Sequence, residues 1–359
     1  MKELNKVGGM TVGLDLGDRF SRFAVLDAVG QVVEEGRVAT SEAALRKHFF
    51  DQPPSRIALE TGTHSPWVSR LLEDWGHEVL VANSRKLRLI YENPSKNDQV
   101  DALYLARLAR VEPALLSPVR HRGVNAQRDL ALLRSRDALV AARTLLVNHV
   151  RGLVKSVGRR LPACSTGSFS KSVTGQIPES LKPGLLPVLE QIASLTTQIR
   201  GVNRKIQVLA DDDYPQTRHL RQVKGIGPIT SLAFVLTLEA PERFGKSRDV
   251  GPFLGLVPGR KQSGVSDPER RITKQGDRGL RRLLVNGAHY ILGPFGPDCD
   301  LRRFGMRVAA RGGKVAKKKA IIAVARKLAI LLHHLWRSGE LYEPLYQQAH
   351  HVGHRGQVA

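Results

Sequence analysis

Thr11-Val12-Gly13-Leu14-Asp15-Leu16-Gly17 is an apolar run interrupted by one carboxylate, and Arg56-Ile57-Ala58-Leu59-Glu60 is a second run that ends on one. Both read as buried strands that carry an acid at or near an end, and a buried strand rarely keeps a charge without a partner. A third acidic element follows in Lys96-Asn97-Asp98-Gln99-Val100-Asp101-Ala102-Leu103, where Asp98 and Asp101 stand three residues apart. If this segment opens a helix, both side chains share a face. Four carboxylates from two strands and a helix form the oxygen set that hard divalent cations take, Mg²⁺ first and Mn²⁺ as its substitute.

The order of elements around these acids sets the fold class. Three strands are expected between Thr11 and about Ala39: the first run, then Phe23-Ala24-Val25-Leu26 and Gln31-Val32-Val33, with Asp27-Ala28-Val29-Gly30 as a hairpin turn. Ser41 then caps a helix through Phe50, and Ile57 to Glu60 returns to strand. Ser65-Pro66 and Gly76 carry the N-cap, N1-proline and C′-glycine signals of a helix. Glu78 to Ala82 reads as strand, and Asp98 to Arg110 as helix. A three-stranded meander followed by alternating helices and strands is the order of an RNase H-like α/β fold, assigned to residues 1–120.

Residues 121–215 read as a helical arm. Leu139, Ala142, Leu146, Val150, Leu153 and Val157 keep a spacing of three or four. Leu185, Val188, Ile192, Leu195, Ile199, Val202, Ile206 and Leu209 alternate strictly by three and four, which is a heptad seam and predicts a coiled-coil hairpin or dimerisation arm. Pro162 to Pro187, rich in Ser, Gly, Pro and Lys, reads as a loop or flexible crossing. Residues 216–346 are expected to form a mostly helical domain. Near its start Lys224-Gly225-Ile226-Gly227-Pro228 reads either as a helix-hairpin-helix turn whose backbone N–H groups would meet a phosphate or as a plain helix turn. Residues 347–359 are expected to be a disordered tail.

Composition restricts the partners. The 359 residues hold 56 Lys+Arg against 33 Asp+Glu, a net charge of +23, so a polyanion is the expected partner and binding should depend steeply on salt. The cations gather beyond Gly255, in Arg260, Lys261, Arg270, Arg271, Lys274, Arg278, Arg281 and Arg282, and again in Lys317, Lys318 and Lys319 at the start of an amphipathic helix, where the helix dipole disfavours them. No apolar stretch reaches the roughly 20 residues of a membrane span, no signal-peptide core is present, and two cysteines make no disulfide framework. A cytoplasmic protein with no membrane partner is expected. His333-His334, inside an apolar helical pattern, reads as packing, and 5% aromatics argue against base stacking as the main binding mode.

Two chemical readings stand side by side. Carboxylate-held Mg²⁺ ions about 3.5–4 Å apart would activate the attacking oxygen and stabilise the leaving oxygen of an in-line phosphoryl transfer. Ser263, in Lys261-Gln262-Ser263-Gly264, would be a nucleophile only if its proton is taken and cations offset the charge on the phosphorane; otherwise it is a loop residue that hydrogen-bonds phosphate, and Ser266 is an equal candidate by composition. Three other classes remain open: a Holliday-junction-type nuclease using water, an actin-like kinase or ATPase with Asp15-Leu16-Gly17-Asp18 as phosphate loop, and a nucleic-acid-binding architectural protein with structural acids.

Asp15, Glu60-Thr61-Gly62, Asn83, Lys96 to Ala102, Gly225-Ile226-Gly227-Pro228, Gly255-Leu256-Val257-Pro258 with Ser263-Gly264, and Ile272-x-Lys274-x-Gly276 leading to Leu280-Arg281 occur in one order. In that order they resemble the DEDD insertion-sequence transposases related to the Piv and MooV DNA invertases. The resemblance runs from about Val12 to Tyr346. It implies a RuvC-like domain in which Asp15, Glu60, Asp98 and Asp101 bind Mg²⁺, a coiled-coil arm, and a C-terminal transposase domain in which Ser263 forms a covalent phosphoserine with DNA. It also implies donor (element-end) and target DNA as substrates, a structured bridge RNA that pairs with both, and a dimer that assembles to a tetramer. Asn97, where many relatives carry threonine, and Arg270-Arg271, where a glycine often precedes the isoleucine, depart from the family pattern.

Overall fold

The computed structural model describes residues 9–87, 97–259 and 270–346, in two compact units that meet in sequence between Arg122 and Gly123. In the first unit, β1 (Thr11–Asp15), β2 (Phe20–Leu26) and β3 (Val32–Ala39) form an antiparallel meander, and β4 (Arg56–Glu60) and β5 (Glu78–Ala82) extend it in parallel. The sheet order is β3-β2-β1-β4-β5. The Asp27–Gly30 turn forms as expected: Asp27 Oδ1 accepts the N–H groups of Val29 and Gln31, and Gly30 takes a φ of 90°. β2 begins three residues earlier than its apolar core suggests, because Ser21, fully buried, satisfies its hydroxyl on Thr40 at 2.8 Å. β3 continues through Glu34, Glu35 and Arg37, the charged residues of a protected edge strand.

Strand alternation divides the sheet into two faces. Val12, Leu14, Phe23, Val25, Ile57 and Leu59 pack on α1 (Glu42–Phe49) and α2 (Ser65–Asp74). Ser41 caps α1 through Ala44 N–H. Ser65 does not cap α2: its hydroxyl is held by Gly62, and His64 takes the N-cap position. On the opposite face Ala58, Leu80 and Ala82 meet Leu105 and Ala109 of α3 (Asp98–Val111), which Asn97 caps by accepting from the N–H groups of Gln99 and Val100.

The second unit opens on α4 (Val124–Ser156), followed by α5 (Phe169–Val173), α6 (Lys182–Asp212), α7 (Gln216–Leu220), α8 (Pro228–Leu238), α9 (Val250–Phe253), α10 (Arg278–Leu292), α11 (Asp300–Ala309) and α12 (Gly313–Ser338). Helices α4 and α6 pair within the chain as a hairpin. The α6 seam is legible in the sequence, whereas the α4 seam is offset: Leu130, Leu133, Val147, Val150 and Val154 are buried, while Ala142, Leu153 and Val157 face outward. Its middle is polar, with Arg136 donating to Asn203 at 3.1 Å and Arg143 to Thr196 at 3.3 Å. The Pro162–Pro187 segment is not a loose crossing. Phe169, Val173 and Ile177, spaced by four, pack into a small core with Val150, Val154 and Leu189, and α6 starts before Pro187.

At its other end the hairpin enters the main core. Leu130, Leu133, Ile206 and Ala210 pack with α8, whose residues Thr230 to Leu238 are all buried, and with α10 and α12. A helix buried all round needs no polar face, and α8 has none. Tyr214 Oη donates to Asp129 Oδ2 at 2.7 Å, pinning the return of α6 to the start of α4. His333 is fully buried between Ser247 Oγ and the Pro241 carbonyl, each 2.9 Å away, the packing role expected of it, whereas His334 is exposed and meets Glu340 Oε2 at 3.1 Å.

Candidate active site

Strand parity and helix direction gather the four acids at one end of the first unit. Asp15 lies two residues after Gly13, and Glu60 two after Ala58, so both share the face that packs on α3. Gly13 is placed beneath the α3 backbone: a Cβ there would lie 1.9 Å from Ala102 O and 2.6 Å from Ala106 N. Arg56 Nη1, at the start of β4, donates to Ala109 O at 3.2 Å, and Gln99 Nε2 donates to Phe23 O, opposite Leu14, at 3.0 Å. Helix α3 therefore runs antiparallel to β1 and β4, and its first turn, with Asp98 and Asp101, overhangs the strand ends that carry Asp15 and Glu60.

Asp101 is buried, Asp15 and Glu60 are half-buried, and Asp98 is exposed. Asp15, Glu60 and Asp101 each have a partner. As the side chains stand, no group of three or more His, Cys, Asp or Glu among the described residues closes on a point that could hold a metal ion. The backbone thus brings the acids to one end and one face, without closing three of them on one point. The donor chemistry, four carboxylates with one at low exposure, fits a hard divalent cation.

One residue of this site escaped the sequence reading. Arg22 stands directly across from Asp15 in the antiparallel register and, with Asn97, Asp98 and Gln99, lines an open hollow. Starting β2 at Phe23 hides it; the alternation Phe20, Arg22, Ala24 against Ser21, Phe23, Val25 is the signal that reveals it. Arg22 gives the acidic end a cation at the distance of one cross-strand neighbour.

In the second unit, Gly259 N–H bonds to Arg271 O, Thr273 N–H to Val257 O and Lys274 N–H to Gly255 O, with Pro258 bridged to Ile272. Two antiparallel flanks thereby bracket residues 260–269. Gly255 and Gly276 make this base possible: each has positive φ, and a Cβ would lie 2.2 Å from Gln275 O at Gly255 and 2.0 Å from Phe253 O at Gly276. Ser263, Ser266, Arg260 and Lys261 lie outside the described residues, as does the tail 347–359.

The remaining cations divide into two sets. Arg270, Arg271, Lys274, Arg278, Lys317, Lys318 and Lys319 are exposed, and Lys274 holds a φ of 55°. Arg281 instead spends its guanidinium on the Leu254 and Gln275 carbonyls, both at 2.9 Å, and Arg282 is ion-paired to Asp137 of α4. Lys224, Gly225 and Gly227 occupy the turn between α7 and α8, where Ile226 N–H bonds to Val223 O and Gly225 has a φ of 93°. No helix among the described residues is long and apolar enough to cross a membrane.

A DEDD-type IS110 transposase model matches residues 12–158, and the model described as the transposase IS116/IS110/IS902 family matches residues 217–297; together the two span more than half of the chain. The chain belongs to the IS110/IS116/IS902 family of insertion-sequence transposases, enzymes that cut and rejoin DNA. It is 27% identical to a probable family 20 transposase of Pseudomonas aeruginosa, over 93% of this chain and 98% of that one. It is 28% identical to the transposase for insertion sequence element IS1328 of Yersinia enterocolitica, over 77% and 82%, and 27% identical to that for IS1111A of Coxiella burnetii, over 70% of each. The DEDD domain points to divalent-metal use.

Proposed function

We propose that this transposase moves its own insertion element by RNA-guided recombination, using Asp15, Glu60, Asp98 and Asp101 to hold Mg²⁺ and Ser263 as the nucleophile. The observation that carries the reading is the common end of Asp15 and Glu60 on adjacent parallel strands, beneath the first turn of the helix with Asp98 and Asp101. The strand order and the position of α3 support an RNase H-like domain.

Bound at these carboxylates, divalent cations would neutralise a non-bridging phosphate oxygen and the developing charge on the leaving oxygen. Ser263 Oγ loses its proton and bonds to phosphorus. The bond from phosphorus to the leaving deoxyribose oxygen breaks, and that oxygen takes up a proton. The phosphoserine diester keeps the energy of the broken bond, so attack by a DNA hydroxyl restores the serine and seals a new strand. Arg22, across from Asp15, would hold a phosphate oxygen at the acidic end. A structured RNA pairing with donor and target would supply sequence choice while the protein holds backbone and duplex shape. Supply of the acidic domain and the serine by different subunits of a tetramer completes the reading.

The test is to incubate protein, Mg²⁺, RNA transcribed from the element's end and labelled donor DNA, then separate the products on denaturing gels beside Ser263→Ala and Asp15→Asn. A protein–DNA adduct lost in both variants supports the reading. Cleavage without adduct that survives Ser263→Ala and disappears in Asp15→Asn makes the enzyme a water-using junction nuclease instead.

A further inference from the structure

Phe295 is the most exposed large apolar side chain among the described residues, at 84%. It stands in Gly293-Pro294-Phe295-Gly296-Pro297, between α10 and α11, and the turn that carries it is braced. Gly293 N–H bonds to Tyr290 O at 3.1 Å and Gly296 N–H to Gly293 O at 3.2 Å. Arg302 Nη1 donates to both Ile291 O and Gly293 O, each at 2.6 Å. Gly296 is required by shape, since a Cβ would lie 2.2 Å from Ile291 O. A well-built turn thus holds an aromatic ring in water, where its burial energy is forgone.

The surroundings identify what the ring meets. Tyr290, itself 43% exposed, packs on Gly225 of the α7–α8 turn, where a Cβ would come within 2.8 Å of Tyr290 Cδ1. Lys224 of that turn shares a small hollow with Ile291 and Pro297. Exposed Lys224 and Tyr290 therefore flank one turn, and Phe295 is carried two residues before the Pro297 that borders the same hollow. The nearby carboxylate of Asp298 does not oppose an anion there, because Arg303 binds both its oxygens, at 3.0 Å and 2.6 Å for the shorter contact to each.

We infer that Phe295 is a wedge that stacks on or between nucleobases of a strand whose phosphate rests against Lys224. A cation beside an aromatic on a rigid support is the pairing that unstacks a base step or holds an unpaired base. The proposal rests on the nucleic-acid-processing reading above. DNA and RNA present the same π face, and the two arms of the test tell them apart.

The test uses the full-length protein with 2-aminopurine placed in turn at each adenine of a donor-end DNA duplex and, in a second arm, of an RNA hairpin from the same element. The expected result is a fluorescence change at one or two adjacent positions in one arm, lost in Phe295→Ala and kept in Phe295→Trp, with affinity reduced roughly ten-fold in Phe295→Ala, as for loss of one base–aromatic stack. The arm that responds names the strand. Unchanged 2-aminopurine signals in Phe295→Ala, with binding intact, overturn the wedge and leave the transposase reading standing. A change of oligomeric state in Phe295→Ala by light scattering, without a change in base signal, makes the ring a subunit contact and also overturns it. Failure of the wild type to bind either nucleic acid overturns both readings.

Discussion

The carbonyl oxygen of Ala102 stands 1.9 Å from where a β-carbon on Gly13 would be, so β1 and α3 touch backbone to backbone. Any side chain at residue 13 must lift the helix that carries Asp98 and Asp101 away from the strand that carries Asp15. Gly13→Ala is expected to destabilise the first unit by at least about 2 kcal/mol through overpacking against main chain. Gly62→Ala, with open space around its Cβ, should stay within about 0.5 kcal/mol. Thermal unfolding of the two variants side by side checks the contrast.

Arg22 faces Asp15 across the sheet and lines the hollow with Asp98. Arg22→Gln should leave the melting temperature nearly unchanged, lower DNA cleavage about ten-fold, and reduce the slope of log affinity against log salt by about one if it contacts one phosphate. An unaltered slope together with full cleavage would remove Arg22 from the site.

The base of the 260–269 segment depends on two glycines with different tolerances from a third. Gly276→Ala meets Phe253 O at 2.0 Å and carries a φ of 78°, whereas Gly259→Ala finds its nearest neighbour at 3.7 Å. Covalent adduct formation should fall at least about 100-fold in Gly276→Ala, as expected when a reacting group is misplaced by about 1 Å. Gly259→Ala should remain close to wild type, with circular dichroism showing both variants folded.

Burial pushes the His333 imidazole below its ordinary pKa, and nearby Arg337 acts in the same direction. The folded state therefore binds this proton less readily than the unfolded chain. Its contribution to stability is complete above about pH 6.5 and declines as the pH falls from there toward the depressed folded value. Urea unfolding from pH 8 to pH 5 should show this decline, and the His333→Gln variant should show a shallower one over the same window, from a lower starting stability.

Tyr214 supplies the hydroxyl that Asp129, 6% exposed, accepts alongside Arg128. Removing that donor leaves part of a buried carboxylate short of a partner, so Tyr214→Phe should cost about 1–3 kcal/mol. Chemical denaturation provides the readout. The loss should shrink in an Asp129→Asn background, because the charge that needs the donor is gone.

The acidic end was legible because each of its parts carries a strong local signal: an acid in or at the end of an apolar run, and Asn97 capping a helix that opens with Asp98. Arg22 was not, because β2 and β3 reach into polar sequence where pairing is set by register rather than by hydrophobicity. The same physics explains the arm. Its α6 seam is apolar and visible, while α4 places Arg136 and Arg143 on the seam and so conceals its phase. Phe169, Val173 and Ile177 hide among serines and glycines, although three buried side chains are enough to close the tip. Among the C-terminal cations, charge alone could not separate Arg281, bound to two carbonyls, from solvent-facing Arg278.

Helix α4 has 33 residues, about 50 Å of rise, and only its first turns are rooted in the core shared with α8, α10 and α12. It is a lever with its fulcrum inside that core. A sideways pull at Phe169 is delivered as torque on Leu130, Leu133 and the Asp129–Tyr214 clasp, and through Arg282–Asp137 onto α10. Whatever grips the far end of the arm has mechanical purchase on the helices that present Lys224 and Phe295.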